Sequence, residues 1–189
     1  MLKKNLTLPK HSPPTNARLT GLPPVISDRT ALLILGSFPG AASLAAQQYY
    51  AHPHNHFWRI LQAIWPSFQR QMVMDSYENR IAWLLDHGLG LWDVYASCER
   101  QGSLDTAIRN AEVNDFAALK ARCPSLAAIA HNGGESFKHA RHTALLGVAV
   151  HRLPSTSPAN ASWSFERKLA AWRGVFEQHG LIGNPRTET

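Results

Sequence analysis

From Ala31 onward the chain alternates short, unbroken apolar runs with longer stretches in which apolar residues recur every three or four positions. Unbroken runs fit strands buried on both faces, and the helical spacing fits helices packed over them. The pattern therefore predicts a three-layer α/β/α domain around a central, mostly parallel four-stranded sheet. Its strands are ALLILG (31–36), LGLWDV (89–94), LAAIAH (126–131) and GVAVHRL (147–153). Helices are predicted from about His56 to Trp65, with Phe57, Ile60, Leu61 and Ile64 on one face, and from about Asp75 to His87, with Ile81, Leu84 and Leu85 inward. Asn114 is placed to cap a third helix, DFAALKAR (115–122), which stops before Pro124. A fourth follows NGGES directly. The last runs from Phe165 to Gln178, its core face formed by Phe165, Leu169, Trp172 and Phe176, with Gly180 as a C-terminal cap.

Ahead of this pattern, residues 1–24 hold Lys3, Lys4, Lys10 and Arg18, several prolines and no acid, which predicts an extended basic arm; residues 25–189 form the single domain. The arm carries four positive charges against a net +6 for all 189 residues, so the domain itself is only mildly basic. A polyanionic partner is the expectation, with DNA first in line, and its binding must depend on local placement as well as on total charge. No long apolar run marks a membrane span, and the start lacks a signal-peptide core, which points to a cytoplasmic protein. Cys98 and Cys123 are too few for an iron–sulfur cluster and are expected to be ordinary buried thiols.

The four least ordinary segments, GSFPG (36–40), WDVYAS (92–97), HNGGES (131–136) and STSPANA (155–161), each lie at or just past the carboxyl end of a predicted strand. That edge is where open α/β sheets bind ligands, and four such segments predict a shared crevice. GSFPG permits a sharp turn with exposed backbone amides; it is neither a dinucleotide fingerprint nor a Walker loop. Asn132 can donate and accept together, which suits the edge of a nucleobase, or it can simply cap the next helix. Ser155, Thr156, Ser157 and Pro158 make a short, rigid turn suited to a backbone phosphate, although such residues also mark ordinary loops. Asp93 and Asp105 are too far apart in sequence to read as a pair. The run YYAHPHNHFWRIL places His52, His54 and His56 at alternate positions. Three imidazoles on one face of a strand could hold zinc, but Pro53 makes a poor strand, and the apolar spacing after Asn55 starts a helix. The expectation is a loop that shapes a pocket, without metal.

Taken in order, GSFPG, Tyr50, AHPHNHFW and PSTSPANA resemble the uracil-DNA glycosylase superfamily, in particular its mismatch-specific branch. The resemblance spans about Ala31 to Phe176. Where the superfamily's first motif usually carries an Asn or Asp that positions water, this chain has Phe38. GSFP at that point, HPxNxFW, and an Asn-Gly after a later strand look like the hypoxanthine-DNA (deoxyinosine) glycosylases. That resemblance implies a base-excision enzyme acting as a monomer on duplex DNA that contains a deaminated base, without cofactor. It implies Asn55 and Asn132 as catalytic residues, with Asn132 the donor facing the base. The base pocket it implies comprises Ser37, Phe38, Tyr50, His52 and His131, with Tyr50 stacking on the flipped base. DNA contact is expected of Ser155, Thr156, Ser157, Pro158 and Asn160, with Asn160 or a neighbour in SPANAS, on position alone, as a candidate wedge in the gap left by the flipped nucleotide. Asp93 stands in reserve as a base. The motifs hold no lysine placed for a Schiff base, so hydrolysis without strand cleavage is expected. The alternatives are a uracil preference in mismatches and a catalytically silent DNA-binding protein of the same fold.

Overall fold

The protein is described by a computed structural model over residues 17–65 and 76–182. Its centre is a four-stranded, all-parallel sheet in the order β3-β2-β6-β7, from β2 (Leu32–Gly36), β3 (Leu89–Asp93), β6 (Ala128–Asn132) and β7 (Ala149–Leu153). Every residue of β2 and β6 is buried, as expected of inner strands covered on both sides. Successive side chains of β2 divide the interior in two. Leu32 and Ile34 enter a cluster with Phe57, Leu61, Leu84, Trp172 and Phe176, whereas Leu33 and Leu35 enter another with Phe38, Val94, Phe116 and Leu119.

Helices α2 (Phe57–Ile64), α3 (Tyr77–Asp86) and α7 (Phe165–Gln178) cover the first face. His56 is the N-cap residue of α2, and the residue before it, Asn55, accepts from the Phe57 amide on Oδ1 at 3.0 Å. The Ser76 hydroxyl caps α3 by accepting from the Asn79 amide; Asp75 lies outside the described residues. The C-terminus of α7 follows the predicted pattern closely. Gly180 has φ +66°, its amide donates to the Glu177 carbonyl, and that of Leu181 donates to Phe176, the paired bonds of a Schellman cap.

Three expectations need correction. Residues 17–24 of the predicted arm are part of the folded body: β1 (Arg18–Thr20) pairs antiparallel with β4 (Tyr95–Glu99), and Leu22 is buried; residues 1–16 lie outside the described part. A second, antiparallel sheet of order β1-β4-β5, with β5 Arg109–Val113, had no counterpart in the sequence pattern. It is fastened by polar groups: Arg18 meets Glu112 at 2.7 Å, and the Ser97 hydroxyl donates to Glu112 at 2.8 Å. The expected helix over 115–122 shrinks to α4 (Leu119–Arg122), and Asn114 does not cap it. Its amide donates instead to the Asp93 carbonyl, closing the corner between β3 and β4, while Asp115 accepts from the Ala117 amide in a tight turn. Short helices α1 (Ala41–Ala46), α5 (Gly134–Phe137) and α6 (Ala140–Ala144) complete the chain. No helix among the described residues is long and apolar enough to cross a membrane. Cys98 and Cys123 are free, buried thiols.

Candidate active site

A cleft of about 620 Å³ opens along the carboxyl edge of the parallel sheet. Its walls come from all four segments singled out above: Gly36 to Gly40 after β2, Asp93 at the end of β3, Asn132 at the end of β6 and Ser155 to Asn160 after β7, joined by Tyr49, Tyr50, His52 and Asn55. The volume suits one flipped nucleotide better than a length of chain.

Asn132 lies at the centre of the internal wiring. The Thr156 backbone amide donates to its Oδ1 at 2.9 Å, which fixes the amide's orientation, because a backbone N–H needs an acceptor. Its Nδ2 then donates to the Thr156 hydroxyl at 2.9 Å and to the Tyr50 hydroxyl at 3.1 Å. Both amide hydrogens are in use, so a base reaches a donor here only by displacing Tyr50 or Thr156. Tyr50 has φ +55° and one ring face stacked on Phe57 at 4.0 Å, and burial raises the pKa of its hydroxyl, so it remains a neutral phenol. Asn55 is half-buried and lines the cleft. Its oxygen is occupied by the Phe57 amide, which leaves the NH₂ group with no hydrogen-bond partner among the described residues.

Of the three histidines of the loop, His52 and His54 have ring centroids 5.6 Å apart, and His56 packs elsewhere. His52 lines the cleft, its Nδ1 accepting from the His54 amide; His54 lies exposed beside it; and the His56 ring stands edge-on to Phe165. Among the described residues no group of three His, Cys, Asp or Glu side chains is placed to hold a metal.

His131 is misplaced in the sequence reading. It is fully buried away from the cleft, with Nδ1 2.8 Å from the Ser136 hydroxyl and Nε2 2.9 Å from that of Thr143, and burial lowers its pKa to about 4. The reason is the strand's two-residue period: neighbours His131 and Asn132 face opposite ways, so only one can reach the cleft. Thr156 lines the cleft but is buried and bonded internally, its carbonyl accepting from the His56 amide. Asn160 lines the cleft, its Nδ2 donating to the Ser155 carbonyl and its Oδ1 accepting from the Ser162 hydroxyl. Ser155, Ser157 and Pro158 line the cleft as expected, and so do Ser37 and Phe38; the Arg100 guanidinium lies 5.0 Å from the Phe38 ring centroid.

Comparison with known proteins identifies the family. The family model for the uracil DNA glycosylase superfamily matches residues 23–176. The chain belongs to that superfamily. It is 37% identical over 158 residues to the hypoxanthine DNA glycosylase of Methanosarcina barkeri, covering 84% of this chain and 98% of that one. With the hypoxanthine DNA glycosylase of Methanosarcina acetivorans it shares 38% over 157 residues, covering 82% and 96%. A solution NMR structure from Methanosarcina acetivorans, described as that of a candidate uracil DNA glycosylase, superposes with a TM-score of 0.75 at 34% identity, covering 87% of this chain and 99% of that one.

What the sequence reading of this superfamily member missed is the segment Ser103 to Thr106, which closes one side of the cleft. Ser103 accepts from the Ala41 amide at 2.9 Å, and Asp105, at the head of a 3₁₀ turn (Asp105–Ala107), accepts from the Ser37 hydroxyl at 2.6 Å. Asp93 and Asp105, dismissed as a pair on sequence distance, thus line one cleft. Burial, then the charge of Asp105, raises the Asp93 carboxyl to about 7, against a smaller opposing influence of Arg100.

Proposed function

We propose that the protein is a DNA glycosylase that takes a deaminated base, hypoxanthine of deoxyinosine, out of duplex DNA and hydrolyses its N-glycosidic bond. The single observation that carries this reading is the convergence of Tyr50, Asn55, Asp93 and Asn132 on one nucleotide-sized cleft, in a chain whose relatives are named for hypoxanthine. The protein acts as a monomer in the cytoplasm and needs no cofactor.

Bond cleavage places positive charge on the sugar and negative charge on the departing base, so donors held ready at the base favour the transition state over the ground state. Asn55 supplies such a donor, because the Phe57 amide holds its oxygen and directs the choice of which end faces the cleft. Asn132 acts one step back. It holds Tyr50 and Thr156 in place, and through them the platform on which the base lies. Phe38 leaves the first motif without a group to activate water, and the chemistry then follows a dissociative path in which a positioned neutral water suffices.

The test is release of free base from duplexes that carry one deoxyinosine or one deoxyuridine, with abasic sites revealed by alkali. Hypoxanthine release supports the reading. Uracil release alone moves the protein to the second reading, a uracil preference, which the NMR neighbour's description favours. Tight binding with no free base points to a silent binder.

A further inference from the structure

The two carboxylates of the cleft differ in their hydrogen bonding. Asp105, at the rim, accepts a hydrogen bond from the Ser37 hydroxyl, which partly offsets the upward push of desolvation on its carboxyl. Asp93 is 4% exposed, and its Oδ2 is buried without a hydrogen-bond partner among the described residues. Its other oxygen is pressed against the backbone of Gly36, where a Cβ would stand 2.3 Å from Oδ1. A buried carboxylate with no donor on one oxygen is a costly anion and a comfortable neutral acid. The titratable and charged groups that bear on it are the Tyr49 and Tyr50 hydroxyls, Asp105 and Arg100. Burial raises both tyrosines, so they stay neutral. Arg100 forms no ion pair with Asp93: its Nη2 donates to the Pro39 carbonyl, while Nε and Nη1 have no hydrogen-bond partner among the described residues.

We propose that Asp93 is the general acid of the reaction, delivering the proton of its neutral carboxyl to N7 of the purine as the bond to the sugar breaks. This deepens the hypoxanthine reading and rests on it. The N9–C1′ electron pair moves into the purine, the Asp93 proton completes neutral N7–H hypoxanthine, and the sugar is left as an oxocarbenium ion. Water adds to C1′ and gives its surplus proton to the Asp93 carboxylate, so the abasic sugar is formed and the carboxyl restored. A carboxyl pushed up to about 7 holds its proton near neutrality and yields it to a leaving base.

Single-turnover hypoxanthine release from a deoxyinosine duplex, followed from pH 5 to 9 for the full-length wild type, Asp93→Asn and Asp105→Asn, tests this. The wild-type rate is expected to be level in acid and to fall about tenfold per pH unit above about pH 7. Asp93→Asn is expected to lose about 100-fold at pH 6 and to show no such limb. Asp105→Asn removes the negative neighbour and is expected to move the limb to lower pH, a shift that a merely structural Asp93 would not transmit. Asp93→Asn with the wild-type profile, or an Asp105→Asn limb that stays in place, overturns the assignment. If Asp93→Asn fails to fold, as a thermal melt reveals, the position of the Asp105→Asn limb decides. A wild type that releases no hypoxanthine overturns the substrate reading and the proposal together, whereas an active wild type with unaltered variant profiles overturns the proposal alone.

Discussion

A Cβ added to Gly36 would lie 2.3 Å from Oδ1 of Asp93, its Cα partner across the parallel β2/β3 pair. The glycine that opens the GSFPG turn therefore makes room for a carboxyl, and its φ is not the reason for its presence. Gly36→Ala is expected to push the Asp93 side chain or the strand aside, at about 1–3 kcal/mol of stability, the range for overpacking a core. Excision should fall more steeply than stability, by tenfold or more. Thermal melts alongside single-turnover rates check this, and a variant that is destabilised yet fully active would separate Gly36 from the chemistry.

Two buried groups give the stability of the protein opposite responses to acid. The Asp93 carboxyl is raised from 3.8 to about 7, so the folded state holds a proton that the unfolded state has released. Its contribution is fully present below about pH 4 and is lost as pH rises through about 7. His131 is lowered from 6.5 to about 4, so its contribution is present above pH 6.5 and is lost as pH falls towards 4. At 1.36 kcal/mol per pKa unit these come to about 4 and about 3 kcal/mol, large enough to see and similar enough to offset one another. Denaturant titrations of the wild type are expected to show a shallow profile between pH 4 and 7. Asp93→Asn should uncover the histidine's slope, with stability rising over that interval.

Asn132→Ala removes three hydrogen bonds and leaves the buried Thr156 amide without an acceptor. The expected cost is about 1–3 kcal/mol of stability, with excision lowered 100-fold or more because Tyr50 and Thr156 lose their common anchor. Tyr50→Phe keeps the contact with Phe57 and gives up one of those bonds, so it should retain far more activity. Equal losses in the two variants would show that the Tyr50 hydroxyl, and not the asparagine's hold on the loop, is what matters.

Excision is expected to continue at an unchanged rate after prolonged dialysis against a chelator. Among the described residues His52, His54 and His56 do not form a group placed to hold a metal, and the proposed chemistry uses none. Loss of activity on chelation, restored by zinc, would reopen the histidine run as a ligand set.

The parts of this architecture that announce themselves in the sequence are those whose burial follows one simple period. LLILG and AIAHN are buried at every position, and Trp172 and Phe176 keep helical spacing on a buried face. The small antiparallel sheet obeys no such rule. RNAEV is exposed at four of its five positions, and it is held by Arg18, Ser97 and Glu112, whose partners are distant in sequence. The site divides along the same line. AHPHNHFW and GSFPG are local motifs, whereas the meeting of Asp93 with Ser37 and Asp105 depends on a turn that nothing in QGSLDTA marks as special. The position of His131 follows from alternation: in a strand that runs from LAAIAH into Asn132, one of the two neighbours must face away from the cleft.

Thr156 touches both halves of the cleft: its amide donates to Asn132 Oδ1, its hydroxyl accepts from Asn132 Nδ2, and its carbonyl accepts from the His56 amide, across 24 and 100 residues of chain. Chain order gives this contact a further consequence. A polypeptide that ends with β6 already carries His56 and Asn132, but it lacks the residue that holds both, so the join between these two walls waits for the segment after β7.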